Sequence, residues 1–315
     1  MIDRKHIEVV PYDAAWPQMF EGEAARIKQA LGDNCLEVHH IGSTAVPGLR
    51  AKPIIDMIPV VHDIMKVDQA IASMEALGYE AQGEFGILFR RYFQKGSGKR
   101  THNVHIFEID SSEVEKHLIC RDWMRSHEED REKYAQLKQQ LALQFPHDTM
   151  AYSLGKNDFI KDILRKAKYK GLTIVLCLHE GEWAAAKAMR QKYFFDKVPM
   201  KDPYGWTFDH PDHKHLVLYQ GTEIVGYAHI QLWPNQRAAL RIIVIDEPFR
   251  NEGLGAFFLA QCEKWLKQQG YNVLHTEASP DALPFYEKHG YIPMPFNDPD
   301  GYESDPRDIP VGKHL

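Results

Sequence analysis

At 315 residues the chain is too long for one ordinary core, so two domains are the default. Its 44% hydrophobic and 26% charged composition is that of a globular protein in water, and a formal charge of −6 excludes a global basic field for nucleic acid or an anionic membrane. Four cysteines (Cys35, Cys120, Cys177, Cys262) lie far apart without a CxxC pair, residues 1–30 carry no secretory pattern, and no 18-residue apolar run occurs; reduced thiols, a cytoplasmic location and no membrane partner are expected. Oligomeric state is left open.

Residues 7–10 read as a short strand, and 18–31 as a helix broken by Gly32-Asp-Asn34. Residues 36–41 are the next strand, 42–48 a turn-rich loop, and 53–61 a second, buried strand. An amphipathic helix is expected over 63–77, ending at Gly78. Residues 84–93 and 103–109 suggest an antiparallel pair around a tip at 95–98. From 113 to 145 the pattern is helical and heavily charged, most simply solvated faces, and a further helix covers 152–168. The domain junction falls at 168–172, giving domains 1–168 and 169–315.

After the junction, 173–178 reads as a strand and 181–195 as a helix. Residues 197–213 form a Pro-, Asp- and His-rich loop, and 215–219 with 224–232 form a hairpin. Ile242 to Ile245 are four β-branched residues, a buried strand that ends at Asp246-Glu-Pro248. Arg250, Gly253 and Gly255 then open a helix to about Gln269, with Leu254, Phe257, Phe258, Cys262, Trp265 and Leu266 at helical spacing. A strand feeding a glycine-bearing helix N-terminus presents unpaired N–H groups and a positive dipole end, an anion site suited to phosphates. The two glycines are expected to keep Cβ atoms away from a pyrophosphate. A strand at 272–277, a short helix at 281–289, a last strand from Gly290 and a loop-rich tail from Pro295 complete the chain.

Arg250-x-x-Gly253-x-Gly255, followed by Ala282-Leu-Pro-Phe-Tyr286 and preceded by the hairpin, resembles the GNAT N-acetyltransferase family over about residues 173–295. The resemblance implies a central mixed, mostly antiparallel splayed sheet flanked by helices. It also implies acetyl transfer from acetyl-CoA to a primary amine of a small molecule or protein. Arg250, Asn251, Glu252, Gly253, Leu254, Gly255 and Ala256 would hold the pyrophosphate through backbone N–H groups. Ile243, Val244 and Ile245 would pair with the pantetheine amides as an added strand. Tyr286 matches the tyrosine that protonates the leaving thiolate. A base for the acceptor amine is sought among Glu277, His229 and His275, with water also open, and Glu277 is the first choice. His210, His213 and His215 have a spacing that suggests a metal, but a polar loop lining the acceptor cleft fits better because no cysteine is near.

The other conspicuous stretch is His39-His-Ile-Gly-Ser-Thr-Ala-Val-Pro-Gly-Leu-Arg-Ala-Lys-Pro-Ile-Ile-Asp56. With Arg121-Asp-Trp-Met-Arg125, Tyr134-Ala-Gln-Leu-Lys138 and Tyr152-x-x-x-Lys156, it resembles the GrpB (UPF0157) family of the nucleotidyltransferase superfamily over about residues 7–166. That implies an α/β mixed sheet with helices and a ligand site at Gly42, Ser43, Lys52, Asp56, Arg91 and Lys156. The superfamily's second carboxylate is missing, since Ile58 stands two residues after Asp56. The expectation is therefore a domain that binds a nucleotide or other anion. Metal-dependent nucleotidyl transfer and a non-catalytic sensor or docking role are the alternatives. One divalent metal on Asp56, His40, His102 and His105 is left open.

Overall fold

Seven residues, Ile-Asp-Met-Ile-Pro-Val-Val at Ile55–Val61, carry one charged side chain, and all but that one are buried. A run this apolar belongs inside a sheet covered on both faces. The computed structural model describes residues 6–96, 99–196, 202–301 and 305–315. The chain divides into two compact units, Met1–Gly171 and Leu172–Leu315.

The first unit runs α1 (Trp16–Leu31), β1 (Cys35–Ile41), β2 (Ile55–Val61), α2 (Met65–Gln69), α3 (Ile71–Ala76), β3 (Tyr79–Ala81), β4 (Arg91–Lys95) and β5 (His102–Glu108). Helices α4 (Ser112–Ser126), α5 (Glu128–Gln144), α6 (Thr149–Leu154) and α7 (Asn157–Lys166) follow. The sheet order is β1-β2-β5-β4-β3, with β2 and β5 parallel and the other pairs antiparallel. Ile27 and Leu31 of α1 pack with Met57, Val61, Val104 and Ile106. The alternate side chains Ile41, Ile58, Val60 and Phe107 pack with Val114 of α4. Both faces of β2 are thus covered.

The second unit runs β6 (Leu172–Leu176), α8 (Glu180–Arg190), a π-helical turn (Gln191–Phe195), β7 (His213–Gln220), β8 (Glu223–Trp233) and β9 (Arg237–Ile245). It continues with α9 (Leu254–Gln268), β10 (Val273–Ala278), α10 (Leu283–Lys288), β11 (Ile292–Pro293) and β12 (Ile309–His314). The sheet order is β11-β12-β10-β9-β8-β7-β6, with only β9 and β10 parallel. Helix α9 buries Leu254, Phe258, Cys262, Trp265 and Leu266, five of the six positions expected from its spacing. The fold class is α/β, with a mixed sheet in each unit.

Several local expectations are corrected. Residues 7–10 make only the single bridge Val10–Ala51, since Pro11 ends any pairing. The helix expected over 63–77 breaks at Ala70, where ψ is 2°. Residues 84–90 are turns rather than strand, and Phe85 and Phe89 have positive φ; the paired strand is the shorter β4. The helix expected over 152–168 is two helices, and the one over 181–195 ends at Arg190 in the π-helical turn. The tail contains β12, hidden because Pro310 and Gly312 argue against a strand. Residues 97–98 of the expected tip, and 197–201 of the expected acceptor loop, lie outside the described residues.

Among the described residues all four cysteines are free, and no helix is long and apolar enough to cross a membrane.

Candidate functional site

In the second unit, β9 and β10 pair only over Arg237–Ala239 and Val273–His275. Beyond that point β9 keeps β8 as its partner, while β10 turns to β12. Thr276 Oγ1 donates to the carbonyl of Leu240 (2.9 Å) at the mouth of the divergence. Residues Ile243, Val244 and Ile245 therefore have one strand edge without a β10 partner. Next to the gap, the β8–β9 register shifts so that Arg241 is an extra, bulged residue between Leu240 and Ile242.

The exit of β9 is held firmly. Asp246 accepts from Lys192 Nζ (2.8 Å) and from the Tyr193 hydroxyl, which also accepts from the Glu247 N–H (2.9 Å). Arg250 Nε donates to the Ile245 carbonyl (2.9 Å), and its guanidinium lies 4.9 Å over the Tyr193 ring. Asn251 (φ 67°) and Gly253 (φ 81°) are left-handed, and Gly253 caps α9 without any side-chain bond. The first-turn N–H groups of Leu254, Gly255 and Ala256 thus have neither an intrahelical partner nor a side-chain cap among the described residues. A Cβ on Gly253 would meet nothing within 4 Å and would project into open space, whereas one on Gly255 would lie 3.7 Å from Phe285. Of the two glycines only Gly253 lies at the open cradle. At Gly255 a Cβ would make only ordinary contact with Phe285 and Ile245, so the packing of α10 does not itself require a glycine there.

Tyr286 is 6% exposed, bonds Thr276, and has its pKa pushed up to about 12 by burial. Its phenol is therefore protonated at neutral pH. Glu277, the next residue after Thr276, points from the opposite face of β10. There it lines a cavity of about 440 Å³ together with Arg241, His213 and His229. His213 Nδ1 and His229 Nε2 share a hydrogen bond (2.7 Å). His215 stacks on His229 (4.4 Å) and bonds Tyr227 Oη and the Thr207 carbonyl. Burial draws His213 and His215 down to about 4, and His229 well below its usual value, so these imidazoles are neutral. His275 is buried without a hydrogen-bond partner for either ring nitrogen among the described residues and does not line the cavity.

In the first unit Gly42 (φ 68°) turns the chain directly over Asp56, since a Cβ there would lie 2.7 Å from Asp56 Oδ2. Asp56 accepts from Asn103 Nδ2 (2.7 Å), which in turn holds the Tyr92 hydroxyl (2.9 Å). Burial raises the Asp56 pKa against the lowering effects of Asn103, Lys52 and Lys156. Ser43 accepts from Lys138 Nζ (2.9 Å), which also donates to the Arg50 carbonyl. Lys52 and Lys156 both lie over the Tyr152 ring, at 4.8 and 4.7 Å. Burial pulls Lys138 down to about 7, Lys156 to about 8 and Lys52 below its usual value.

Lys52 and Lys156 thus act on the one carboxylate, Asp56, and Lys138 stands beside them on Ser43, close enough for its charge and that of Lys156 to repel. Arg91 does not join them: it is spent on Asp68 of α2 through Nε (2.6 Å) and Nη2 (2.9 Å). His40 bonds Thr44 (3.1 Å) and stacks on Phe20, and His102 bonds Thr101. His105 Nε2 is 4.0 Å from Asp56, and its Nδ1 accepts from Arg90 (3.1 Å). No three His, Cys, Asp or Glu side chains converge on one point among the described residues. Ile58, where a second carboxylate would stand, is buried in an apolar cluster. A donor set of ammoniums around one bonded carboxylate does not fit a divalent metal.

The profile of the GrpB protein family matches residues 6–166. The chain belongs to the GrpB family. The profile of the acetyltransferase (GNAT) family matches residues 178–291, so a GNAT acetyltransferase domain follows the GrpB domain. The UPF0157 protein YqkA of Bacillus subtilis is 43% identical over 165 residues, covering 52% of this chain and 48% of that protein. The chain therefore spans about half the length of that relative. The crystal structure of conserved protein GrpB from Enterococcus faecalis is 46% identical, covering 51% of this chain and 96% of that one, with a TM-score of 0.49. A GNAT-family acetyltransferase from Staphylococcus aureus is 17% identical, covering 46% of this chain and 99% of that one, with a TM-score of 0.39.

The principal residue missing from the expected GrpB-domain site is Lys138. It already stood in the Tyr134-Ala-Gln-Leu-Lys138 motif, and a lysine four positions after a tyrosine on one helix face was the available signal. Asn103 and Arg90, which hold Asp56 and His105, had no signal of their own. In the acetyltransferase domain the bulge at Arg241 was equally silent.

Proposed function

We propose that the acetyltransferase domain moves an acetyl group from acetyl-CoA to a primary amine. The observation that supports this best is the divergence of β9 and β10 beside the uncapped, left-handed turn at Asn251–Gly253. A strand edge for amides and a set of N–H groups for a pyrophosphate lie within one short stretch. Acetyl-CoA, when bound, supplies the activated thioester. Tyr286 holds a proton at its hydroxyl on the Thr276 face of β10, suited to delivery to a departing sulfur. On the cavity face Glu277 is positioned to take the proton that the amine nitrogen loses, with His229 the runner-up. The acid and the base thus flank the gap from opposite sides. A cytoplasmic location is in keeping with the free thiols and the cofactor.

Calorimetric titration with CoA tests this reading, and thiol release on adding acetyl-CoA and a mixed amine pool tests turnover. Binding in the micromolar range that Gly253→Glu abolishes supports it. Absence of CoA binding, or binding unchanged by that substitution, overturns it.

For the GrpB domain, the excess of amines over carboxylates favours a second reading: it binds a multiply charged anion such as the phosphates of a nucleotide. Such a ligand would supply the charge that Lys52, Lys138 and Lys156 lack. Sulfate or ATP binding that needs no divalent metal supports this reading. Magnesium-dependent consumption of ATP would instead favour nucleotidyl transfer.

A further inference from the structure

Lys138 of α5 is 2% exposed, yet no carboxylate pairs with it among the described residues. Its Nζ lies 4.8 Å over the Tyr134 ring and bonds the Arg50 carbonyl and, at 2.9 Å, Ser43 Oγ. The charge that acts on it is that of Lys156, which repels. Arg125 of α4 meets the same turn, but is spent on the Ala45 carbonyl through Nε (3.0 Å) and Nη2 (2.7 Å). Asp56 is bonded to Asn103, and Lys52 acts on Asp56. A buried amine in these surroundings gives up its proton near neutral pH, and burial pulls Lys138 to about 7. The Tyr134 phenol beside Ser43 stays protonated, because burial raises its pKa.

Ser43 suits the neutral form of that amine. It is half-buried and follows Gly42, which is exposed, so the hydroxyl stands where a ligand can reach it. Its backbone is fixed on either side. Arg121 Nη1 donates to the His40 carbonyl (3.1 Å), Thr44 Oγ1 to the Ile54 carbonyl (3.2 Å), and Arg125 to the Ala45 carbonyl. Once Lys138 is neutral, it keeps an N–H on the Arg50 carbonyl, and its lone pair can take the Ser43 proton across the same 2.9 Å. A hydroxyl on a pinned turn, within hydrogen-bond reach of an amine that is neutral near pH 7, has the geometry of a nucleophile and its base.

We propose that Ser43 is a nucleophile and Lys138 its general base, in an acyl-transfer site for a carboxylic ester that carries an anionic group. The anionic group rests on the anion-binding reading of this domain, with Lys52 and Lys156 holding it; the serine chemistry stands on the Ser43–Lys138 contact. Lys138 takes the Ser43 proton as Oγ forms a bond to the acyl carbon. The bond from that carbon to the ester oxygen breaks, and Lys138 returns the proton to the departing alcohol. Water then reverses the sequence: Lys138 takes a proton from it, its oxygen bonds the acyl carbon, and Oγ leaves with the proton. The products are a carboxylic acid and free Ser43. A carboxylic ester suits this oxygen because its carbonyl is uncharged, whereas an anionic phosphodiester would repel it.

The test uses the full-length chain and a fluorophosphonate, whose fluoride is displaced when a serine oxygen bonds its phosphorus. Mass spectrometry is expected to place the adduct on Ser43, and Ser43→Ala to abolish it. The labelling rate should rise with pH and level off above about 7, as Lys138 becomes neutral. Lys138→Met and Lys138→Arg should each slow labelling at least about a hundredfold, with thermal melts showing that each variant is folded. Arginine keeps a charged strut to Ser43 but cannot take its proton. No adduct on Ser43, a rate that keeps rising with pH without levelling, or labelling of Lys138→Arg within about threefold of the parent overturns the inference. For the substrate class, kcat/KM for p-nitrophenyl hemisuccinate is expected to exceed that for p-nitrophenyl acetate at least about tenfold; equal values overturn the anionic ester. Sulfate binding is read separately by calorimetry. A Ser43 adduct without sulfate binding keeps the nucleophile and overturns the anion-binding reading; sulfate binding without an adduct does the reverse.

Discussion

The two domains each carry a glycine turn after a strand, and as proposed anion sites the two turns differ in kind. At Gly42-Ser43 the chain closes on a carboxylate, and three lysines with depressed pKa values gather around the turn: Lys52 and Lys156 by Asp56, and Lys138 on Ser43. At Asn251–Gly255 the left-handed backbone leads into a 15-residue helix with no side-chain cap. The first turn offers titratable charge held out of water, and the second offers fixed backbone dipoles. The first should therefore depend on pH and lower the stability of its fold, while the second should do neither.

The largest contrast is expected from the glycines themselves. Gly42→Ala places a Cβ 2.7 Å from Asp56 Oδ2 at a positive φ. It should lower stability by roughly 2–4 kcal/mol in urea unfolding. Gly253→Ala meets open space and pays only for its φ of 81°, so roughly 1 kcal/mol is expected. Equal losses at the two sites would erase the distinction drawn between them.

Tyr286→Phe should lower kcat by about a hundredfold while the KM for acetyl-CoA stays within about twofold. Steady-state thiol release measures both. A kcat within about threefold of the parent would leave Tyr286 as a buried core aromatic.

Lys138→Met should raise stability by roughly 1–3 kcal/mol at pH 7, because it removes a buried amine whose charge is poorly compensated. Sulfate affinity should fall at least about tenfold in the same variant. A gain in stability together with a loss of binding would mark Lys138 as functional rather than structural. The sign of the pH dependence follows from its lowered folded pKa. Between about 7 and the usual lysine value the unfolded chain holds more protons, so parental stability rises with pH across that window, and Lys138→Met flattens the slope.

The smallest effect concerns ligand binding. Sulfate keeps its charge, so its affinity for the GrpB domain should drop severalfold from pH 7 to 9 as Lys138 and Lys156 lose protons. CoA affinity at the second turn should change little over the same span. Matching pH profiles at the two sites would break the comparison.

Much of this was legible in local sequence. The β-branched run before Arg250, the helix spacing behind it and the Gly42-Ser43 turn are each contained in a few consecutive residues. Other features were not. Lys138 reaches Ser43 across 95 residues, and Asn103 reaches Asp56 across 47. Arg91 looked like a phosphate ligand, yet at the start of β4 it meets Asp68, while Arg90, just before the strand, holds His105. Strand β12 was missed because its proline and glycine argue locally against a strand that long-range pairing with β10 forms anyway.

By itself the sequence determined the two-domain plan and the two glycine-turn motifs, because periodicity, β-branching and glycine placement act within a few residues. The tertiary structure decided which charges surround each turn. Burial, the parting of β9 from β10 and the convergence of Lys52, Lys138 and Lys156 from a loop, a helix and a turn are set by packing between residues far apart in the chain.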